Sequence, residues 1–545
     1  MMVEPGHASN RSWHRGARAL HVLIRGRAKF IVVTTIGALT AFALSSHLGI
    51  AHPYWSAMAF WIVLQPTRTL FYQRLARRLV GTLLGAATGY ALLTGLPGRS
   101  GIILACMSVL CASAAGLGVV LRQHRSYALL LTGYTACIVV VSGIMASGDS
   151  WVIAGSRMAS AVIGVACALV AGLIAIQQQD PRYLSRKLFE AAADAHALAA
   201  RIANLGFVPS DQDMVGFLKH LGALQAEAER EPIGARSHGD ALAWTQQLLE
   251  GALQLQSEVS RSKDRAELAP ALQAVAAQLE REKEGTVVPD ASALMTGLTG
   301  SQAMIDALTG FTTQAKAPVT YPAGRHPLMP AVRVAARTFL CLGVVSTVWL
   351  LTGWSYGGAS VIATAIFITL FSGHDDPAMS SAGALKATAV GVALALFHSI
   401  AIAPHLFSLA GEVIGLSPFM ALAATAISRP STSKLGLDAV LAFLLVVEPQ
   451  ASRSAGALVA FWSAGATLLG MGVAAVAYRY LLPAHPQRRA DAIIRRVSIP
   501  SNTLLNAASH KKIDRKLDDL VTLGRLAAGS GARLPRHLVA DVLLS

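Results

Sequence analysis

A charge placed in hydrocarbon costs several kcal/mol, so ionisable side chains inside apolar runs are the first candidates for chemistry. Asp438 is such a group. It lies in "KLGLDAVLAFLLVVEPQ" (434–450), four residues after Lys434. That spacing fits an i, i+4 ion pair, and it equally fits a protonatable relay that couples transport to protons. Glu448 follows ten residues later, about 15 Å along a helix. Its place beside Pro449 suits an interface anchor or cap, or a second relay group.

Asp375-Asp376-Pro377 has the form of a helix start, with Asp at the N-cap and Pro in the first turn. The alternative is a gate at one membrane face. No His/Cys cluster backs a metal, and His374 alone does not change that. Arg77, Arg78, Lys386 and Arg429 flank apolar runs. They read either as anchors on the cytoplasmic side or as cations that draw an anionic substrate to a pore entrance. The five cysteines, Cys106, Cys111, Cys137, Cys167 and Cys341, all lie in apolar runs without CxxC spacing and read as small buried hydrophobes.

The elements that must position these groups follow from composition. The 545 residues are 53% apolar and only 14% charged, with a mean hydropathy of +0.50. A soluble domain is nearer a quarter charged, so the chain belongs in a bilayer. The net charge of +16 is spread over the ends of apolar runs rather than gathered in one patch, which argues against nucleic acid. Residues 180–325 instead hold 14 basic and 18 acidic side chains.

A span needs about 20 apolar residues. Six candidates precede the middle segment: 30–48, 54–66, 79–96, 101–121, 127–146 and 158–177. Six follow it: 334–353, 357–372, 384–403, 406–427, 435–449 and 455–481. Between them, stretches such as "LFEAAADAHALAARIANL" (188–205) repeat apolar residues every three or four positions, the pattern of soluble amphipathic helix. With the N-terminus inside, twelve basic residues fall in inner loops, among them Arg78 and Arg337. Only Arg99, Arg157 and Arg453 fall outside, so both termini are expected in the cytoplasm. Residues 30–43, ending in Ala41-Phe42-Ala43, imitate a signal peptide. Cleavage there would leave an odd number of spans and reverse that charge bias, so they are read as the first span.

The halves also resemble each other. "YWSAMAFWIVLQP" (54–66) follows the first span as "WSYGGASVIATAIF" (354–367) follows the seventh, and "GTLLG" (81–85) aligns with "ATAVG" (387–391). An even number of spans per half makes a parallel repeat, an arrangement common in transporters. Gly81, Gly85, Gly89 and, in the ninth span, Gly383 and Gly391 carry the small-residue spacing of close helix packing, with a pore-facing backbone as the alternative, and Thr82 and Gly358 belong to the same aligned motifs. Tyr54, Trp55, Trp61, Trp354 and Tyr356 read as an aromatic belt, or as a platform for stacking an aromatic substrate.

On "HPYWSAMAFWIVLQP" (52–66), "RRLVGTLLG" (77–85), "WSYGGASVIATAIFITLFSGHDDPA" (354–378) and "ISRPSTSKLGLDAVLAFL" (427–444), the chain resembles the fusaric acid resistance family, which includes the aromatic acid exporters. It departs from that pattern in a shorter middle domain and in Trp354-Ser355 where Trp-Pro is usual. The resemblance implies an inner-membrane exporter of aromatic carboxylates such as fusaric or hydroxybenzoic acids, with a periplasmic membrane-fusion partner.

No Walker A, GxSxG, HExxH or paired-Cys zinc pattern occurs, so no enzyme activity and no cofactor is expected, and pumping must draw on an ion gradient or a partner. The expected fold is an all-α membrane protein of about twelve transmembrane helices in two parallel six-helix repeats. Its segments are a basic N-terminus (1–29), a first membrane domain (30–179), a cytoplasmic helical domain (180–325), a second membrane domain (326–482) and a basic tail (483–545). The expected function is proton-coupled efflux of small aromatic acids, with oligomerisation or gating by the middle domain. A passive anion channel and a non-transporting scaffold are the rival readings.

Overall fold

A computed structural model of the chain describes residues 7–64, 71–121, 123–146, 149–175, 183–204, scattered positions between 216 and 228, 238–262, 265–282, 298–313, 328–374, 376–448, 452–483 and 491, with side chains from residue 26 onward except at 71–74, 123–125, 238–242, 452–457 and scattered positions between 246 and 265. Asp375, the side chains of residues 1–25 and nearly all of the 483–545 tail lie outside the described residues. Among the described residues every regular element is a helix. The chain divides into two units, residues 1–177 with 327–484 and residues 178–326 with 485–545.

The first unit holds α1 (His7–His47), α2 (Tyr54–Val63), α3 (Phe71–Gly95), α4 (Ser100–Leu121), α5 (Gln123–Met145) and α6 (Ser150–Ala175). In the second half of the sequence it adds the later helices Leu328–Thr352, Gly357–Leu370, Pro377–Phe397, Leu409–Ile427, Ser433–Val447 and Ser452–Tyr480. The second unit holds α7 (Tyr183–Ala203), α8 (His238–Arg261), α9 (Arg265–Glu282) and α10 (Thr299–Thr312). The later helices are therefore α11 to α16.

Eight helical segments among the described residues are long and apolar enough to cross a membrane, and Tyr54–Val63 and Gly357–Gly373 are shorter apolar helices. Both α3, which opens with Arg74, Arg77 and Arg78, and α15, with 15 residues, stand outside those eight. The short α2 is apolar all round because protein surrounds it, and every residue but Ile62 is buried. Long helices instead turn one apolar face outward, as with Val80, Leu83 and Leu84 on α3 or Val344, Val348 and Leu351 on α11. That much exposed apolar surface suits lipid rather than water.

Glycines set the closest helix approaches. A Cβ on Gly85 would lie 2.6 Å from Thr132 O and 2.7 Å from Thr135 Cβ, so α3 and α5 touch backbone to backbone. Gly391 meets Ala439 O and Ala442 Cβ in the same way, joining α13 to α15. Likewise Gly164 rests on Ser56 O and Ala59 Cβ of α2, and Gly470 on Ser360 O and Ala363 Cβ of α12. Each approach in the first half thus has a counterpart in the second. Contacts between the halves pair up too: α1 with α14 and α4 with α11, α2 with α15 and α5 with α12.

The second unit is a helical bundle around Leu188, Phe189, Leu248, Leu255, Leu272 and Met304. Gly300 and Gly310 admit Leu255 and the Trp244 ring between α8 and α10. Glu258 accepts the Gly300 N–H at 3.0 Å, so a carboxylate on α8 supplies an acceptor to the N-terminus of α10. His196 is wholly buried, with Nδ1 2.8 Å from Ala192 O and Nε2 2.8 Å from Ser301 Oγ. A carbonyl only accepts, so Nδ1 carries the proton and the Ser301 hydroxyl donates to Nε2.

Candidate functional site

Three arginines are buried within the membrane unit, and two of them, Arg78 and Arg157, lie close together and define the site. Arg157 lies two turns into α6 and is 6% exposed, not in a loop as its sequence position suggested. The apolar run Trp151–Ala154 before it already belongs to the helix. Its guanidinium carbon stands 3.7 Å from the centre of the Trp55 ring. Arg78, two turns into α3, is 1% exposed and donates from Nη1 to the Tyr134 hydroxyl at 2.8 Å. The two cations are near enough to repel each other, with Tyr134 acting on both. Among the described residues the Nε of each has no hydrogen-bond partner, and no carboxylate comes within ion-pair reach of either.

Such a pair is expensive, because desolvated charges without counter-charge are among the costliest groups a fold can hold. An anion between them would offset that cost. The surrounding rings add to the case: Tyr54 and Trp55 are stacked at 5.3 Å, and the His52 ring meets Tyr54 edge-on at 5.8 Å. Tyr54 faces the Glu448 carboxylate at the C-terminal end of α15. Together the groups gather two buried cations and an aromatic wall from α2, α3, α5 and α6, with one acid beside Tyr54.

A family model described as the fusaric acid resistance protein family matches residues 27–267 and 212–543. The chain belongs to this family. It is 21% identical to an uncharacterized transporter of Gluconobacter oxydans, over 93% of this chain and 77% of that protein. It is 26% identical to the p-hydroxybenzoic acid efflux pump subunit AaeB of Pantoea ananatis, over 36% of this chain and 31% of the relative. It is 24% identical to the uncharacterized transporter YdhK of Escherichia coli, over 34% of this chain and 28% of that protein. No solved structure shows a significant match. This family member is therefore a multi-pass membrane protein related to transporters.

Other residues singled out in the sequence take varied places in this family member. Tyr54 and Trp55 are buried rather than belt residues, and Trp61 is enclosed with its Nε1 3.4 Å from Met420 Sδ. Trp354 and Tyr356 are half-buried, with Tyr356 stacked on Trp462 at 6.3 Å. Asp438 is 8% exposed in the second turn of α15. It makes no ion pair with Lys434, whose Nζ sits 5.3 Å from the centre of the Phe371 ring. Asp376 accepts the Met379 N–H at 2.9 Å and caps α13, with Pro377 in the first turn. Lys386 and Arg429 are exposed and Arg77 is half-buried, so none of these three joins Arg78 inside. Arg337, counted as a loop charge, is buried against Tyr478 at 4.2 Å and donates to Leu482 O.

Gly81 closes on Ala128 O, Gly85 on Thr132 O, Gly391 on Ala439 O, and Gly358 on Val141 and Met145. Thr82 is buried with no partner for its hydroxyl among the described residues, and so is Thr388, its mate in the second half. Sequence reasoning missed two groups altogether. One is Arg157. The other is His398, in a π-turn after α13, edge-on to Phe419 and Phe443, with neither ring nitrogen partnered among the described residues.

Proposed function

We propose that this protein exports small aromatic carboxylic acids, of the fusaric or hydroxybenzoic type, across the bacterial inner membrane. The observation that carries the reading is the pair of buried, uncompensated arginines on an aromatic wall. A carboxylate would neutralise Arg157 and Arg78, while its ring would lie along Trp55 and Tyr54. The name of the p-hydroxybenzoic acid efflux pump subunit, a relative over part of the chain, fits that substrate chemistry.

In this reading the membrane unit has about twelve spans in two parallel repeats. The paired glycine contacts and the paired contacts between halves support it. The termini and the helical unit lie in the cytoplasm. Of the charges behind that orientation, Arg78, Arg157 and Arg337 leave the tally as buried residues, and the remaining bias is ten against two. Asp438, buried and near Lys434 without forming an ion pair with it, is the favoured proton relay. A periplasmic membrane-fusion protein carries substrate onward, and the chain has scope to form homo-oligomers.

Accumulation of 4-hydroxybenzoate in inverted membrane vesicles, with and without an imposed pH gradient, tests the reading. Gradient-driven uptake lost in Asp438→Asn is the expected result. Uptake indifferent to gradient and mutation points instead to a passive channel. No uptake of any aromatic acid contradicts the exporter and favours a scaffold.

A further inference from the structure

The rim of the proposed anion site holds a carboxylate of the chain's own, and the internal repeat shows that packing does not require it there. Thr135 and Ala442 occupy matching places beneath Gly85 and Gly391. Equal steps along α5 and α15 then set Val141 opposite Glu448. In the same way, Ser56 and Ser360 beneath Gly164 and Gly470 set Gly358 opposite Tyr54. The contacts agree: a Cβ on Gly358 would lie 2.9 Å from Val141 Cγ1, just as Tyr54 faces Glu448. One junction between the halves is therefore closed by an apolar contact, and its mate by a tyrosine and a glutamate.

The cations follow the same division. Arg157 has Ser463 as its counterpart and Arg78 has Ala384. The polar junction thus stands at the one end of the repeat where the two buried arginines lie.

The backbone marks the same place. Among the described residues three non-glycine positions have positive φ, and two of them flank Tyr54: His52 at 57° and Glu448 at 38°. A side chain held in the left-handed region costs on the order of 1 kcal/mol and persists where the arrangement is used. Glu448 ends α15 in the position that glycine normally fills. Tyr54 of α2 is the titratable group set against Glu448, and Arg157 of α6 acts in turn on Tyr54 and on His52 in the turn before α2.

We propose that Glu448 is a tethered counter-anion. When the site is empty, its carboxylate partly offsets the positive field of Arg157 through Tyr54, and an incoming carboxylate competes with it. The proposal rests on the reading of the arginine pair as the substrate site. It makes binding self-limiting: Glu448 weakens the hold on substrate and favours release past the rim. The counterparts of both cations in the second half are uncharged, so this site is not repeated there, and the buried Arg337 of that half lies instead against Tyr478.

Equilibrium binding of 4-hydroxybenzoate to the purified full-length protein in lipid nanodiscs, at one pH, tests it in the wild type, Glu448→Gln, Glu448→Gly and Arg157→Gln. The expected result is binding about tenfold tighter in both Glu448 variants and lost in Arg157→Gln. A gain of affinity is not something a damaged fold produces, and Glu448→Gly also relieves the positive φ, so it stays informative if Glu448→Gln is poorly folded. Wild-type binding that Arg157→Gln abolishes, with unchanged or weaker affinity in both Glu448 variants, overturns the counter-anion and leaves the site standing. Absence of binding in the wild type and both Glu448 variants overturns site and counter-anion together.

Discussion

Arg157 on α6 lies face-on over the ring of Trp55 on α2, its guanidinium carbon 3.7 Å from the ring centre. Both side chains are buried, and α6 is held against α2 by Gly164, which leaves no room for a Cβ. The stacking is therefore a consequence of the helix approach.

Replacing the ring should separate two kinds of substrate. Stacking of the substrate ring on Trp55 is worth about 0.5–1.5 kcal/mol, roughly twofold to tenfold in an equilibrium constant. Trp55→Leu is therefore expected to lower the affinity for 4-hydroxybenzoate by about twofold to tenfold, while acetate or propionate changes little. Competition uptake assays in inverted vesicles measure the ratio. An equal loss for aromatic and aliphatic acids would mean that the ring only supports Arg157.

Removal of the Asp438 carboxylate should act on coupling rather than on binding. Asp438→Asn is expected to abolish the response of uptake to an imposed pH gradient while leaving equilibrium binding within about twofold. Lys434→Met is expected to have little effect on either, since the ammonium lies over Phe371. Uptake and binding measured on the same preparations distinguish these outcomes.

Alanine at the paired glycines should destabilise both halves alike. Overpacking a tight contact costs about 1–3 kcal/mol, against which the better helix propensity of alanine returns less than about 1 kcal/mol. Gly164→Ala and Gly470→Ala are each expected to lower the thermal unfolding temperature of the detergent-purified protein. Gly383→Ala, with open space around it, is expected to leave that temperature unchanged. A fluorescence-based thermal shift assay reads all three.

The helical unit should weaken in acid. Burial depresses the pKa of His196 from 6.5 to about 4, so the folded form takes up its proton later than the unfolded one. Its stabilising contribution is fully present above about pH 6.5 and is lost as pH falls towards 4, a change on the order of 3 kcal/mol. His220 has the opposite sign: the hydrogen bond it donates to Asp194 raises its pKa, so its contribution is present at low pH and lost as pH rises. That pair is well exposed and its effect small. Denaturant unfolding of the full-length protein between pH 4.5 and 7.5 should show the loss, reduced in His196→Gln.

Much of this architecture is legible in the sequence. Apolar run length, the change of period after residue 180 and the aligned glycines Gly85 and Gly391 all reflect local physics, and the structure uses those glycines for matching contacts. The site is less legible. Arg157 follows a short apolar run, and hydropathy does not distinguish a charge that ends a loop from one that turns into the bundle. The four-residue spacing of Lys434 and Asp438 allows an ion pair, but Phe371 from another helix offers the ammonium a different partner. Tyr54 and Trp55 look like a membrane belt because their burial depends on α6 and α15, far away in the chain.

The most direct test compares a carboxylate with its uncharged isostere. Uptake of 4-hydroxybenzoate and of 4-hydroxybenzamide into inverted vesicles is measured for the wild type and for Arg157→Gln. The account predicts that the wild type accumulates the acid and not the amide, and that the variant loses acid uptake by at least tenfold, in line with a buried charge pair losing one partner. Acid uptake in Arg157→Gln equal to that of the wild type would contradict it.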